Sequence, residues 1–174
     1  RFERIFSQPV YSLSSHPGGL LALGYNDLLV QSSAGFTAVA RLPPGGGILH
    51  RSKREPDSVW LGTTHGIQSL RHTPVGWRDE GLVPGFDENC RGLSEAPDGS
   101  LWISTLSHDL FLLDFAGGKN PVSGAPRIER FTGGRGLPEY FQRANTADWA
   151  GAPIFVVNTA PRPFRFEVAS RRFV

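Results

Sequence analysis

Asp57-Ser58-Val59-Trp60-Leu61-Gly62-Thr63-Thr64 (DSVWLGTT) and Asp98-Gly99-Ser100-Leu101-Trp102-Ile103-Ser104-Thr105 (DGSLWIST) are two versions of one phrase. Each places an acidic residue and Ser ahead of an aliphatic–Trp–aliphatic triplet and closes on a small residue and Thr. Each is followed by a second apolar segment, Ile67–Leu70 in one case and Leu110–Phe115 in the other. Each is preceded by a corner, Leu42-Pro43-Pro44 or Gly81-Leu82. Three landmarks in one order make a repeat, and a repeat decides the architecture before any single residue does. Weaker copies flank the pair. In Gly18–Gly24 the Trp slot is read at Ala22, and in Gly151–Val157 at Phe155. The slots at 22, 60, 102 and 155 are 38, 42 and 53 residues apart, and the last gap carries a Gly-rich insert at 116–125.

A period of about 40 residues with several short strands per unit is the pattern of a propeller blade. The fold class expected is therefore all-β: propeller blades of four antiparallel strands, about four of them, forming part of a larger propeller. The turns agree. Asp98-Gly99 and Glu55-Pro56-Asp57 are turn chemistry, because Gly reaches positive φ and Pro presets its own. No segment sustains helical spacing of apolar residues over ten positions without Gly or Pro, which argues against helices. The chain holds 174 residues with 39% apolar side chains, 21 Gly and 14 Pro, the composition of many short strands and turns. The expected division is an outer strand at 1–7 and blades at about 8–42, 43–80, 81–132 and 133–174. In the third unit the strands are predicted near Cys90–Glu95, Ser100–Thr105, Leu110–Phe115 and Arg127–Phe131. Trp60, Trp102 and Phe155 are read as blade core. A buried aromatic side chain hides about 150–250 Å², worth about 4 kcal/mol at about 25 cal/mol per Å².

Several function classes fall away. Net charge is +2 and the Arg residues are scattered, so no basic stripe for nucleic acid is expected. Cys90 is the one cysteine, which excludes an internal disulfide and a cysteine-based metal site. His16, His50, His65, His72 and His108 include no short His-x-x-x-His pair, and we read them as loop residues with no metal. No Gly-x-Ser-x-Gly elbow is present, and neither Gly45-Gly46-Gly47 nor Gly117-Gly118-Lys119 has phosphate-loop spacing. No cofactor is expected. No run approaches the ~20 apolar residues of a membrane helix. The chain opens at Arg1 and has no Met, which we read as an excised piece with any signal peptide or anchor outside it.

What remains is recognition. Loops at one end of a propeller axis carry function in general. The loops entering the innermost strands hold Glu88, Asn89 and Arg91, then Tyr140, Arg143 and Asn145. Aromatic, Arg and amide side chains together suit a polar ligand such as a sugar. The expectation is a non-catalytic binding module. The alternatives are a propeller-fold lyase or glycosidase using Asp87, Glu88, His65 and His108, and a protein-interaction scaffold.

The segments DSVWLGTTHGIQSL and DGSLWISTLSHDLFLL resemble the two-component-regulator propeller repeat. That repeat builds the extracytoplasmic sensor region of many bacterial hybrid histidine kinases and diguanylate-cyclase receptors. The tail from Phe131 resembles the family's final blade, with Arg165-Phe166-Glu167 and Arg172-Phe173 at the turn that closes it. The resemblance spans Gly18 to Val174, and Ala22 and Phe155 depart from the family's Trp. It implies a periplasmic location in a membrane-anchored receptor and a polar metabolite or glycan fragment as ligand. It also implies a homodimer, and a kinase or cyclase output in the remaining domains of the receptor chain.

Overall fold

The computed structural model describes residues 9–45, 47–115, 124–139, 141 and 144–174, and every regular element among them is a β-strand. The strand expected at 1–7 and most of the insert at 116–125 lie outside the described residues.

The strands follow one another as meanders. β1 (Ser12–His16), β2 (Gly19–Leu23), β3 (Asp27–Ser32) and β4 (Gly35–Arg41) pair antiparallel in chain order. So do β5 (Ile48–Arg51), β6 (Ser58–Thr63), β7 (Gly66–Thr73) and β8 (Gly76–Leu82). The third sheet comprises β9 (Cys90–Glu95), β10 (Leu101–Thr105), β11 (Leu110–Asp114) and β12 (Arg127–Phe131), within one residue of the sequence-based expectation at every end. The fourth unit is looser. β13 (Ala144–Trp149) and β14 (Ala152–Val157) form one hairpin, and β15 (Phe166–Glu167) with β16 (Arg172–Phe173) forms another. One bridge links them, in which Phe155 and Phe164 exchange backbone hydrogen bonds of 2.8 and 2.7 Å. Pro161 and Pro163 stand just before that bridge and have no N–H to donate, so the third strand of this unit cannot lengthen into a ladder.

The sheets stack around their first strands: β1 lies beside β5, β5 beside β9 and β9 beside β13. Each junction has its own apolar core. Leu21 and Leu23 meet Val59 and Leu61 between the first two sheets. Trp60 meets Leu101 and Ile103 between the second and third. Trp102 meets Phe155 and Phe173 between the third and fourth. β6 and β10 are buried along their whole length, because successive side chains of one strand serve opposite junctions.

That alternation corrects two slots. Trp60 and Trp102 face forward, toward the next sheet. In the first sheet the forward contacts come from Leu21 and Leu23, so Ala22 faces the other way. Phe155 is fully buried, but it packs backward onto Trp102 with ring centroids 4.6 Å apart. The hairpins entering β2 and β14 turn on two residues, Pro17-Gly18 and Ala150-Gly151, whereas longer loops enter β6 and β10. A one-residue slip in a strand exchanges its faces.

Candidate functional site

Of the six rim residues singled out from the sequence, the structure brings two together. Asn89 and Arg91 flank the start of β9 and line a hollow of about 170 Å³ with Tyr11, Ile48 and Thr64. Glu88 instead accepts a hydrogen bond from the Ser107 hydroxyl at 3.4 Å, beside the β10–β11 turn. Asn145 is exposed on β13, and Tyr140 and Arg143 lie outside the described residues. Cys90 is buried beneath the hollow, and burial, with a smaller push from Glu88, raises its thiol pKa to about 12, so it is no nucleophile. His65 and His108 do occupy turns, but His16, His50 and His72 sit on strands, not in the loops expected.

His50 belongs to a polar group that the sequence reading missed. Glu95, at the end of β9, is only 2% exposed. Its carboxylate accepts hydrogen bonds from the Ser52 hydroxyl at 2.9 Å and from the Lys53 backbone N–H. His50 Nε2 lies 3.6 Å from the same carboxylate, and its Nδ1 lies 4.0 Å from Asp148. Lys53 Nζ donates to the Glu95 carbonyl at 2.8 Å and to Asp148 Oδ1 at 2.9 Å. Burial alone would raise the Glu95 pKa. The neighbouring His50 imidazole and the hydrogen bonds from Lys53 and Ser52 outweigh it and hold the carboxyl below its ordinary range. Both ring nitrogens of His50 face carboxylates. The group ties together the second, third and fourth sheets at the ends of their innermost strands.

The larger opening lies next to this group, and it is best seen by comparing two junctions. Between the second and third sheets, Phe115 stacks on Trp60 with centroids 5.6 Å apart and an 18° interplanar angle. Arg54 reaches across to the Asp98 carbonyl at 2.7 Å. Arg71 pairs with Glu80 at 3.0 Å and with Glu55. About 20 Å³ is left. The corresponding slot between the third and fourth sheets holds about 640 Å³. Register identifies the matching positions. Trp60 pairs with Ser69 and Ser58 with Arg71 in the filled slot, while Trp102 pairs with Leu112 in the open one, with Asp114 two residues on. An apolar floor has thus replaced Ser69, and a carboxylate has replaced Arg71. Trp102, Phe155 and Phe166 form the base of the cleft, with Asp98 on the third-sheet wall and Arg165 and Arg171 on the fourth.

No protein-family model matches this sequence, and no curated protein matches it. Solved structures do. Virginiamycin B lyase from Staphylococcus aureus is 16% identical with a TM-score of 0.62, aligned over 95% of this chain and 54% of that one. A functionally unknown protein from Desulfotomaculum acetoxidans is 11% identical with a TM-score of 0.62, over 95% of this chain and 54% of the other. Apo AztD from Citrobacter koseri is 13% identical with a TM-score of 0.58, over 95% and 45%. At these identities the likeness is one of fold. The sheets are blades of a β-propeller, consistent with part of a larger one, and the chain spans about half the length of the solved structures it matches.

Proposed function

We propose that this chain is a non-catalytic ligand-binding part of a propeller sensor, and that a polar small molecule enters the cleft between its third and fourth sheets. One observation carries the reading: of two junctions built to the same register, one is filled by Phe115, Arg54 and Arg71, and the other is left open at about 640 Å³. A volume of about 300–1,000 Å³ with apolar walls and a few polar groups suits a small-molecule site. A thermal-shift screen of polar metabolites and oligosaccharides tests it. A ligand at about 100 times its Kd adds about 2.7 kcal/mol of stability. The shift should vanish in Ala96→Trp, which places an indole in the cleft from just beyond the end of β9. A shift that survives this change, or a ligand that is chemically converted, overturns the reading.

The wider proposal is an extracytoplasmic sensor of a bacterial two-component-type receptor that works as a dimer. It is supported by the Trp60 and Trp102 repeats and the Arg165-Phe166-Glu167 turn, which resemble that family's blades. A ligand in the cleft would bias the arrangement of blades only so far as it binds one arrangement better. Sequencing the gene on both sides is the test. Further such repeats, a membrane span and a kinase or cyclase are expected, and their absence refutes the receptor role.

A further inference from the structure

We propose that the cleft selects a zwitterion with an apolar body, such as a short apolar peptide with free ends; this rests on the reading of the cleft as the binding site. The charges are sorted by wall. The third sheet contributes carboxylates, Asp98 in the β9–β10 loop and Asp114 at the end of β11. The fourth contributes the guanidinium groups of Arg165 and Arg171, with Glu167 beside them. Between the walls lie Leu112, Trp102 and Phe166.

In the filled junction the Arg71 charge is matched within its own sheet, by Glu55 and Glu80. Two groups of the open junction are not so matched. Asp98 Oδ1 is held by the backbone N–H of Ser100 at 2.9 Å and by its hydroxyl at 2.6 Å, which fixes the carboxylate. Its Oδ2 has no partner among the described residues. Arg165 is anchored through its backbone, which exchanges hydrogen bonds of 2.9 and 2.8 Å with Val174. Its exposed guanidinium makes no ion pair among the described residues. Arg171, by contrast, pairs with Glu129.

The chemistry of the occupant follows. A dianion meets the Asp98 carboxylate and a dication meets the Arg165 guanidinium, so a doubly like-charged ligand is repelled by one wall. A neutral sugar uses neither wall's charge, and Trp102, only 3% exposed, offers it little surface to stack on. A molecule with an ammonium at one end, a carboxylate at the other and an apolar middle satisfies both walls and the base. Charge-assisted hydrogen bonds of this kind are the stronger class.

Calorimetric titration of the 174-residue chain with the dipeptide Leu-Phe tests the inference, alongside its N-acetyl, C-amide and doubly capped forms. The free dipeptide is expected to bind, and each cap to weaken binding about tenfold or more. In Arg165→Ala the penalty for the C-amide should disappear while the N-acetyl penalty stays, and Arg165→Lys should restore part of it. In Asp98→Asn the pattern should reverse. A variant that merely misfolds would lose all four ligands together. Equal binding of free and doubly capped peptide overturns the proposal, as does no binding of the free peptide at millimolar concentration. An oligosaccharide or capped peptide whose binding is lost in Ala96→Trp would keep the cleft as the site while removing the zwitterion. Dipeptide binding that persists in Ala96→Trp would remove both.

Discussion

At the scale of single residues, Glu95 shows why a fully buried charge can persist in a sheet junction. Its carboxylate is met by a hydroxyl, a backbone N–H and an imidazole, and removing such a group leaves its partners buried and unpaired. Glu95→Ala is expected to cost about 3–5 kcal/mol, measured as a fall in the urea midpoint at pH 7. The sign of the pH dependence follows from the lowered pKa. The unfolded chain holds the Glu95 proton at higher pH than the folded chain does, so the group stabilises above its ordinary value of 4.5 and the contribution is lost as pH falls through the lower folded value. Glu95→Gln should therefore flatten the acid limb of the stability profile below about pH 4.5. Identical acid limbs in parent and variant would show that the carboxyl carries no such linkage. Little of this group could be read from the sequence. Ser52 and Glu95 are 43 residues apart and Ser94 and Asp148 are 54 apart, and no motif within one blade marks partners contributed by three. Trp60 and Trp102 were legible because each is the largest side chain its junction can bury. At Ala22 and Phe155 the slot falls one residue out of phase, because loop length, which sets the phase of a strand, varies between blades.

At the scale of strands, the third sheet was predictable almost residue by residue, since its turns and apolar segments are sharply bounded. The fourth was expected to be its equal, and Pro161 and Pro163 instead reduce its third strand to a single bridge. How closely neighbouring blades approach depends on small residues. A Cβ at Gly62 would lie 2.9 Å from the Cys90 Cβ. One at Gly92, on β9, would lie 2.4 Å from Ser104 Oγ, 2.8 Å from Thr146 Oγ1 and 3.1 Å from the Thr146 backbone N. The last contact is backbone, so rotating a side chain cannot relieve it. Gly92→Ala is expected to destabilise by about 1–3 kcal/mol through overpacking. Gly124→Ala, where a Cβ meets nothing within 4 Å among the described residues, should change stability by less than about 0.5 kcal/mol. Both follow from chemical denaturation of the two variants beside the parent, and equal stability of the two would mean that β9 and β13 can separate at no cost.

At the scale of the whole chain, every junction between sheets is an apolar core, so the two ends of the row are the faces that no junction among the described residues covers. Leu13 on β1 is 60% exposed, and Trp149 on β13 is 71% exposed. Both stand on innermost strands, where the interior blades pack β5 and β9 against a neighbour on each side. On the last blade, Val156, which points forward like Trp102 in the blade before, is 44% exposed. Isolated exposed apolar residues are ordinary, but these occur where the repeat places a packing surface, and unpaired sheet faces and edges favour association. The 174-residue chain on its own is therefore expected to self-associate, with a sedimentation coefficient that rises with concentration across the micromolar range. A double change, Leu13→Lys with Trp149→Lys, places charge on both end faces and should shift it toward a single species of 19.0 kDa. A longer chain with further blades should also sediment as one species, because the added blades would occupy the same faces. A parent chain that stays a compact monomer at every concentration would mean that the end blades are stable with their forward and backward faces in water. The radial stacking would then no longer account for why the interior blades are so fully buried.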